Sequence, residues 1–354
     1  MNSRLLSLYD YYIKWKDINV LRFNIDKQSV DIINDAYLPV CISNIGKSYD
    51  MVVKFCSDRI LMFNREYCKE ILTSCGVDDQ SAVNICIISK GLSFRDNYWI
   101  EQVTSNNTWK DVNLYQNVFS NQIARVSVTG KYEYVSIGDK IFTGELTNKG
   151  TRAKCYYRNN GNLYLFKRET DREIAVEIAS YYIAQAIGVF SSKYFTSDLF
   201  GCNCSVCQIL TNEEFELIPY RDILSAYRDK AYDFMLSIDA YNFVLMQIFD
   251  YVTLNTDRNR DNFGLLQRNG HIISMYPLFD HDSCFKGKGT NAVYFPSDKT
   301  FASTLEFIKF TTIYKTLNIN SIKYNLMSSN LKNILLRYIT IEDYNSMLSR
   351  VKNL

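Results

Sequence analysis

At Pro219 the chain changes its hydrophobic rhythm, and this change limits the folds open to it more than any other feature. From about residue 120 to 217, apolar residues come in short runs separated by turn formers. Arg125–Ile137 alternates around a Thr-Gly-Lys step, which predicts two strands. Lys154–Arg158 and Leu163–Lys167 flank Asn159-Asn160-Gly161, a strong hairpin signal because consecutive positive-φ residues match the strand twist. A further strand region spans 192–217. One helix interrupts this half, Glu173–Ile187, with Val176, Ala179, Ile183 and Ala186 on one face and Gly188 just past its end. After Pro219 the period becomes helical over 222–254, 304–316, 319–339 and 341–352. A β-rich half followed by an α-rich half is an α+β arrangement, and a two-lobed body is its simplest form.

The first 105 residues mix short apolar runs with helical patterns. Arg65–Cys75 reads as a helix with Tyr67, Ile71 and Leu72 on one face, ending before Gly76, and Ser81–Ser89 reads as another. At 354 residues the chain has room for more than one core. The expected division is an N-terminal α/β extension over 1–105, a β-rich lobe over 106–220 and a helical lobe over 221–354.

Charge and composition remove several functional classes. Forty basic and 38 acidic residues leave a net charge of +2, which makes no electrostatic case for direct nucleic-acid binding. The N-terminus carries Asp10, Lys14 and Lys16 in place of an unbroken apolar stretch, which argues against a signal peptide. The longest apolar run, 242–254, is broken by Asp250 and is too short to span a bilayer. A cytoplasmic protein is the resulting expectation. In a reducing compartment the ten cysteines read as buried apolar residues or free thiols. Cys202, Cys204 and Cys207 cluster, but their spacing matches no familiar zinc knuckle. With only His271 and His281 present, acid–base chemistry falls mainly to carboxylates.

The chemistry concentrates in a few places. The polar run Leu254–Gly264 follows an apolar helix and precedes apolar Phe263, Leu265 and Leu266. Its Asp257 and Asn262 are five apart, a spacing that lets a tight loop hold a carboxylate beside an attacking hydroxyl and turn an amide oxygen toward a metal. An Asx-rich turn joining a helix to a hairpin would read the same way. Asp280 ends an apolar run that starts near Ile272, so a strand would deliver it to a cleft; it also suits an ordinary strand-ending turn. An amide oxygen and a carboxylate are ligands that Mg2+ accepts. Lys167 shares a strand face with Leu163 and Leu165, a costly setting for an unpaired ammonium. Glu173 and Glu177, one turn apart on the next helix, are both candidate counter-ions. Ahead of this strand, the Gly144–Lys154 stretch can bring backbone N–H groups to phosphates, with Gly150, Thr151 and Arg152 as candidate contacts. It contains neither GxGxxG nor a Walker A motif.

Taken in order, these residues resemble the HipA-like serine/threonine kinases, including their CtkA-type relatives. Asn255-Thr256-Asp257-Arg258-Asn259, then Asn262-Phe263-Gly264, is similar to the family's N-x-D-R-(H/N)-x-x-N-(F/W)-G loop, and Pro277–Asp280 to its P-(L/I)-(Y/F)-D. Ser93, Asp96, Tyr98, Trp99 and Ile100 look like its S-x-x-D-x-Y-W-I segment, and Trp109–Ser120 like the segment after it. Glu177–Val189 resembles its E-x-x-A-x-x-x-A-x-x-L-G-I helix, and Cys207–Ile223 the strand and turn near its hinge. The likeness covers about residues 90–310.

The resemblance implies a bilobal protein-kinase-like fold and Mg2+-assisted transfer of a phosphoryl group from ATP to a protein. It implies Asp257 as catalytic base or hydroxyl-orienting group, Asn262 and Asp280 as Mg2+ ligands, Lys167 on the phosphates and Glu177 positioning Lys167. Two departures stand out: Asn259 where the family often has His, and Asp282 as an added carboxylate. Tyr98 and Trp99 read as packing residues. Autophosphorylation at Thr147 or Thr151 fits the family. The competing readings are a nucleotide-binding interaction module with little catalysis, a toxin–antitoxin component and a small-molecule kinase. Substrate and oligomeric state are not legible.

Overall fold

The computed structural model describes residues 9–77, 81–132, 143–286, 291–292 and 299–354. Two compact units emerge. The first runs to Arg168 and adds Leu199–Cys202 and Ile209–Glu216; the second holds Glu169–Asp198, Asn203–Gln208 and Leu217–Leu354.

In the first unit, strands β1 (Asp10–Trp15), β2 (Ile18–Asn24), β3 (Ser29–Ile32) and β4 (Tyr98–Gln102) form an antiparallel sheet ordered β3-β2-β1-β4. Ile13 sits opposite both Leu21 and Ile100, so the three share one face, and all are buried. Their core is completed by helices Asp50–Ser57, Cys68–Ser74, Ala82–Ile88 and Asn121–Thr129, through Met51, Phe55, Ile71, Ile85, Ile123 and Val126 among others. Each such side chain contributes roughly 1.5–3 kcal/mol on burial. Trp99 and Trp109 anchor a second apolar cluster with Leu92, Phe94 and Phe119. Tyr98 and Trp99 are therefore core residues, and the indole N–H of Trp99 donates to Lys16 O at 2.7 Å.

The helix Asn121–Thr129 corrects the reading of Arg125–Ile137 as paired strands. Ser120 caps it, its Oγ accepting from Ile123 N, and Gly130 ends it at φ 68°. The Thr-Gly-Lys step is thus a helix C-cap, which places a positive-φ glycine just as a hairpin does. Residues 133–137 lie outside the described residues. The second hairpin signal forms as expected: β5 (Lys154–Asn159) pairs with β6 (Asn162–Arg168) across Asn160 and Gly161, both at positive φ.

Asp96, a motif residue, is structural in this unit. Arg59 grips it with Nη1 and Nη2 at 2.8 and 2.7 Å, and also donates to Gly91 O and Tyr98 O. Burial alone would raise the Asp96 carboxyl, but Arg59, Arg95 and the Tyr98 N–H together hold it below its ordinary value. A carboxyl depressed in the fold contributes stability that is complete above its unfolded pKa of about 4 and is lost as pH falls through the lower folded value. Thermal melts from pH 7 to pH 3 are expected to show a wild-type advantage over Asp96→Asn that shrinks only below about pH 4. A gap that stayed constant with pH would contradict this assignment.

The second unit is built on two helices. Asp171–Ile187 begins with a capping box between Thr170 and Glu173 and ends at Gly188, φ 93°. Ala231–Thr253 is buried on every side from Phe243 to Thr253, as a central helix must be. Asp239 breaks it with φ −150° and restarts it, accepting from Asn242 N at 3.1 Å as an N-cap does. The same carboxylate accepts from Met275 N at 3.0 Å, fastening β11 (His271–Met275) to the helix. β11 forms a hairpin with β10 (Gly264–Arg268), whose first residue has no room for a side chain: a Cβ on Gly264 would lie 2.0 Å from Ile218 O. Helices Ile319–Leu326, Ser329–Leu335 and Ile341–Lys352 complete the unit.

Nine of the ten cysteines are buried, and Cys202 is half-buried. Among the described residues no group of three or more His, Cys, Asp or Glu is placed to hold a metal, and no helix is long and apolar enough to cross a membrane.

Candidate functional site

The polar loop begins where the buried helix can go no further. Leu254 takes a left-handed conformation, φ 49°, and Asn255 N returns to Asp250 O at 3.1 Å. The chain then folds back on itself: Asn259 N donates to Asp257 O at 2.7 Å and Asn262 N to Asn259 O at 3.1 Å. The Asn262 side chain donates from Nδ2 to Asp257 O at 3.0 Å. A carbonyl can only accept, so this bond fixes which end of the amide is nitrogen and leaves Oδ1 as the end suited to a cation. The Asp257 side chain is exposed, with Asn259 Nδ2 at 3.3 Å from its Oδ1.

Asp280 reaches its place less directly than a strand end would. β11 stops at Met275, and four residues intervene, held by a parallel bridge between Leu278 and Ser191. Asp280 is half-buried at φ 61°, a strained conformation that Asp tolerates better than most residues. Its N–H donates to the Tyr194 hydroxyl at 2.9 Å. The next N–H, of His281, donates to Glu177 Oε2 at 2.8 Å. Glu177 is fully buried, so the helix Asp171–Ile187 holds the backbone next to Asp280 through a side-chain acceptor shielded from water. Glu173, the other candidate, is occupied with capping its own helix and pairs with Lys286 at 3.2 Å.

One side chain ties the two loops together, and it escaped the sequence reading. Arg258 is buried, with Nε 3.2 Å from each Asp250 carboxylate oxygen. Its Nη1 donates to Asn262 O at 2.7 Å and to Phe279 O at 2.9 Å, and its Nη2 lies 3.1 Å from His281 Nδ1. A guanidinium only donates, so Nδ1 carries the lone pair and the imidazole is neutral, with its proton on Nε2, 3.0 Å from Ser191 Oγ. The clue in the sequence was Asp250, the lone acid in the apolar run 242–254, eight residues before an arginine. Burial pushes the adjacent Cys284 thiol up to about 12, so it stays protonated.

The remaining candidates belong to the first unit. Lys167 is buried on β6 and sits directly opposite Lys154 on β5, which puts both ammonium groups on one face of the hairpin. Lys154 Nζ also lies over Gly150, where a Cβ would approach it to 2.3 Å. The loop before β5 is pinned from within: Arg65 donates to Glu145 O, Asn148 O and Lys154 O, and Glu145 Oε1 accepts from Tyr156 N at 2.7 Å. Burial pushes the Glu145 carboxyl up, against the pull of Arg65. Thr151 and Arg152 are exposed, whereas Thr147 is buried and donates to Leu92 O.

No protein-family model matches the chain, and no curated protein matches it. Solved structures do. The HipA of the Shewanella oneidensis MR-1 toxin–antitoxin system, determined with HipB and its operator DNA, superposes with a TM-score of 0.59 over 97% of each chain at 11% identity. The fold is HipA-like. The Helicobacter pylori proinflammatory kinase CtkA also matches, with a TM-score of 0.39 and 16% identity over 56% of this chain and 94% of that one. Within this HipA-like fold, Glu177, Asp257, Asn262 and Asp280 fall in the second unit, and one hydrogen-bonded network runs through the segments that carry them.

Proposed function

We propose that the protein is an ATP-dependent serine/threonine protein kinase. The observation that carries this reading is the Arg258 bridge, which holds the Asp257–Asn262 loop and the Asp280 loop through their backbones. Polar turns with no common task have no need of a shared buried cation.

The donor set fits Mg2+. Asn262 Oδ1 and the Asp280 carboxylate are hard oxygen ligands, and Mg2+ needs few of them because it keeps waters and takes phosphate oxygens. When bound, the ion neutralises charge on the transferring phosphoryl group. The chain's own residues do the rest. Asp257, exposed and oriented by Asn259, accepts the proton of the incoming hydroxyl or aligns it. Lys167 and the backbone of Gly150, Thr151 and Arg152 are assigned to the phosphates, and Glu177 keeps the Asp280 segment in register. Of the two threonines suited to autophosphorylation, Thr151 is exposed and Thr147 is buried, so the reading assigns Thr151.

Incubation of the full chain with γ-labelled ATP tests this reading. Label is expected to enter the protein or a generic protein substrate with Mg2+ and to disappear with EDTA, with the self-labelled site mapping to Thr151. Nucleotide-dependent thermal stabilisation with no transfer to any acceptor would replace the kinase with a nucleotide-binding module.

A further inference from the structure

We infer that Arg258 is the positioning residue that sets the separation of Asn262 and Asp280, and that it thereby tunes the site to Mg2+ over larger cations. This rests on the kinase reading above. Arg258 does not bond the two side chains that would hold the ion. It bonds the backbone that carries them: the carbonyl of Asn262 itself at 2.7 Å, and that of Phe279, the residue before Asp280, at 2.9 Å.

Both bonds come from the same nitrogen, so the two loops cannot separate without losing one of them. The rest of the guanidinium has no freedom to follow. Its Nε is held by both oxygens of Asp250, and its Nη2 by His281 Nδ1. His281 is in turn tied to Ser191, and its N–H to Glu177. The planar fork is thus fixed to the central helix at one edge and sets two ligand-bearing segments from the other.

Selectivity follows from the chemistry of the ions. Mg2+ requires near-octahedral geometry with ligands at about 2.0–2.1 Å, whereas Ca2+ accepts 6–8 ligands over a range of about 2.3–2.6 Å. A site whose two protein ligands are held at one separation favours the first ion, and a site whose ligands drift apart loses it first. Lysine keeps a charge opposite Asp250, but its compact ammonium cannot span two carbonyls, a carboxylate and an imidazole.

The test is calorimetric titration of Mg2+ and, separately, Ca2+ into the full chain saturated with a non-hydrolysable ATP analogue, with melting temperature as a second readout. For Arg258→Lys the half-saturating Mg2+ concentration is expected to rise at least tenfold and that of Ca2+ less than threefold. A purely structural role would lower the binding-competent fraction and affect both ions alike, so equal shifts or no shift would overturn the inference. Should that variant not fold, Asp250→Asn, which loosens the grip on Nε but leaves an acceptor, is expected to show the same change of preference, and equal shifts there would overturn it too. If the wild type binds no nucleotide in the presence of either ion, the kinase reading itself falls, and this inference with it.

Discussion

Asp257→Ala is expected to lower phosphoryl transfer by about 10²–10⁴-fold, the usual contribution of a positioned proton acceptor, while the melting temperature stays at the wild-type value. The loss and its cleanness have separate causes. The side chain is exposed, and substitutions at such positions typically change stability by no more than about 0.5 kcal/mol. The bonds that shape the loop run to the Asp257 carbonyl, from Asn259 N and Asn262 Nδ2, and alanine keeps that carbonyl. Labelling with γ-labelled ATP, read beside a thermal melt, checks both halves. Transfer equal to that of the wild type would remove Asp257 from the chemistry.

The second large effect is on stability. Asp250→Ala is expected to cost about 3–5 kcal/mol, because it leaves the Arg258 guanidinium buried without its counter-charge. Both side chains are almost completely excluded from solvent, so water cannot take over the lost role. Arg258 would then keep only neutral acceptors, such as the carbonyls of Asn262 and Phe279 and the His281 ring, or leave the core, and either outcome loosens the loops it holds. Urea denaturation of the full chain checks the cost through a lower midpoint for the transition that includes the helix Ala231–Thr253. A midpoint unchanged from the wild type would show that the pair contributes nothing to the fold.

Much of the architecture was legible because local signals agreed with it. The Asn159-Asn160-Gly161 turn and the helix closed by Gly188 formed as read. The helical rhythm after Pro219 formed too, but 222–254 breaks at Arg228–Lys230 and 319–339 divides into Ile319–Leu326 and Ser329–Leu335. The misreading at 125–129 arose because a positive-φ glycine after Thr129 serves a hairpin and a helix C-cap equally well. Periodicity alone did not separate the two, and the Ser120 cap and packing onto the first unit's core decided it. The candidate residues were named from the sequence because Asp257, Asn262 and Asp280 follow one another in the order of the resemblance, although each alone would also suit an ordinary turn.

What sequence alone determined, then, is which segments are strand or helix and which groups are candidates for chemistry, because propensity, capping and spacing act over a few residues. Tertiary structure decided how those groups are held. The Asp250–Arg258 pair, the neutral His281 between Arg258 and Ser191, and the hold of Glu177 on the His281 N–H each join residues from different segments. Such bonds are chosen by burial: once packing excludes water, every charge and polar group inside must find a partner there, however distant in the chain.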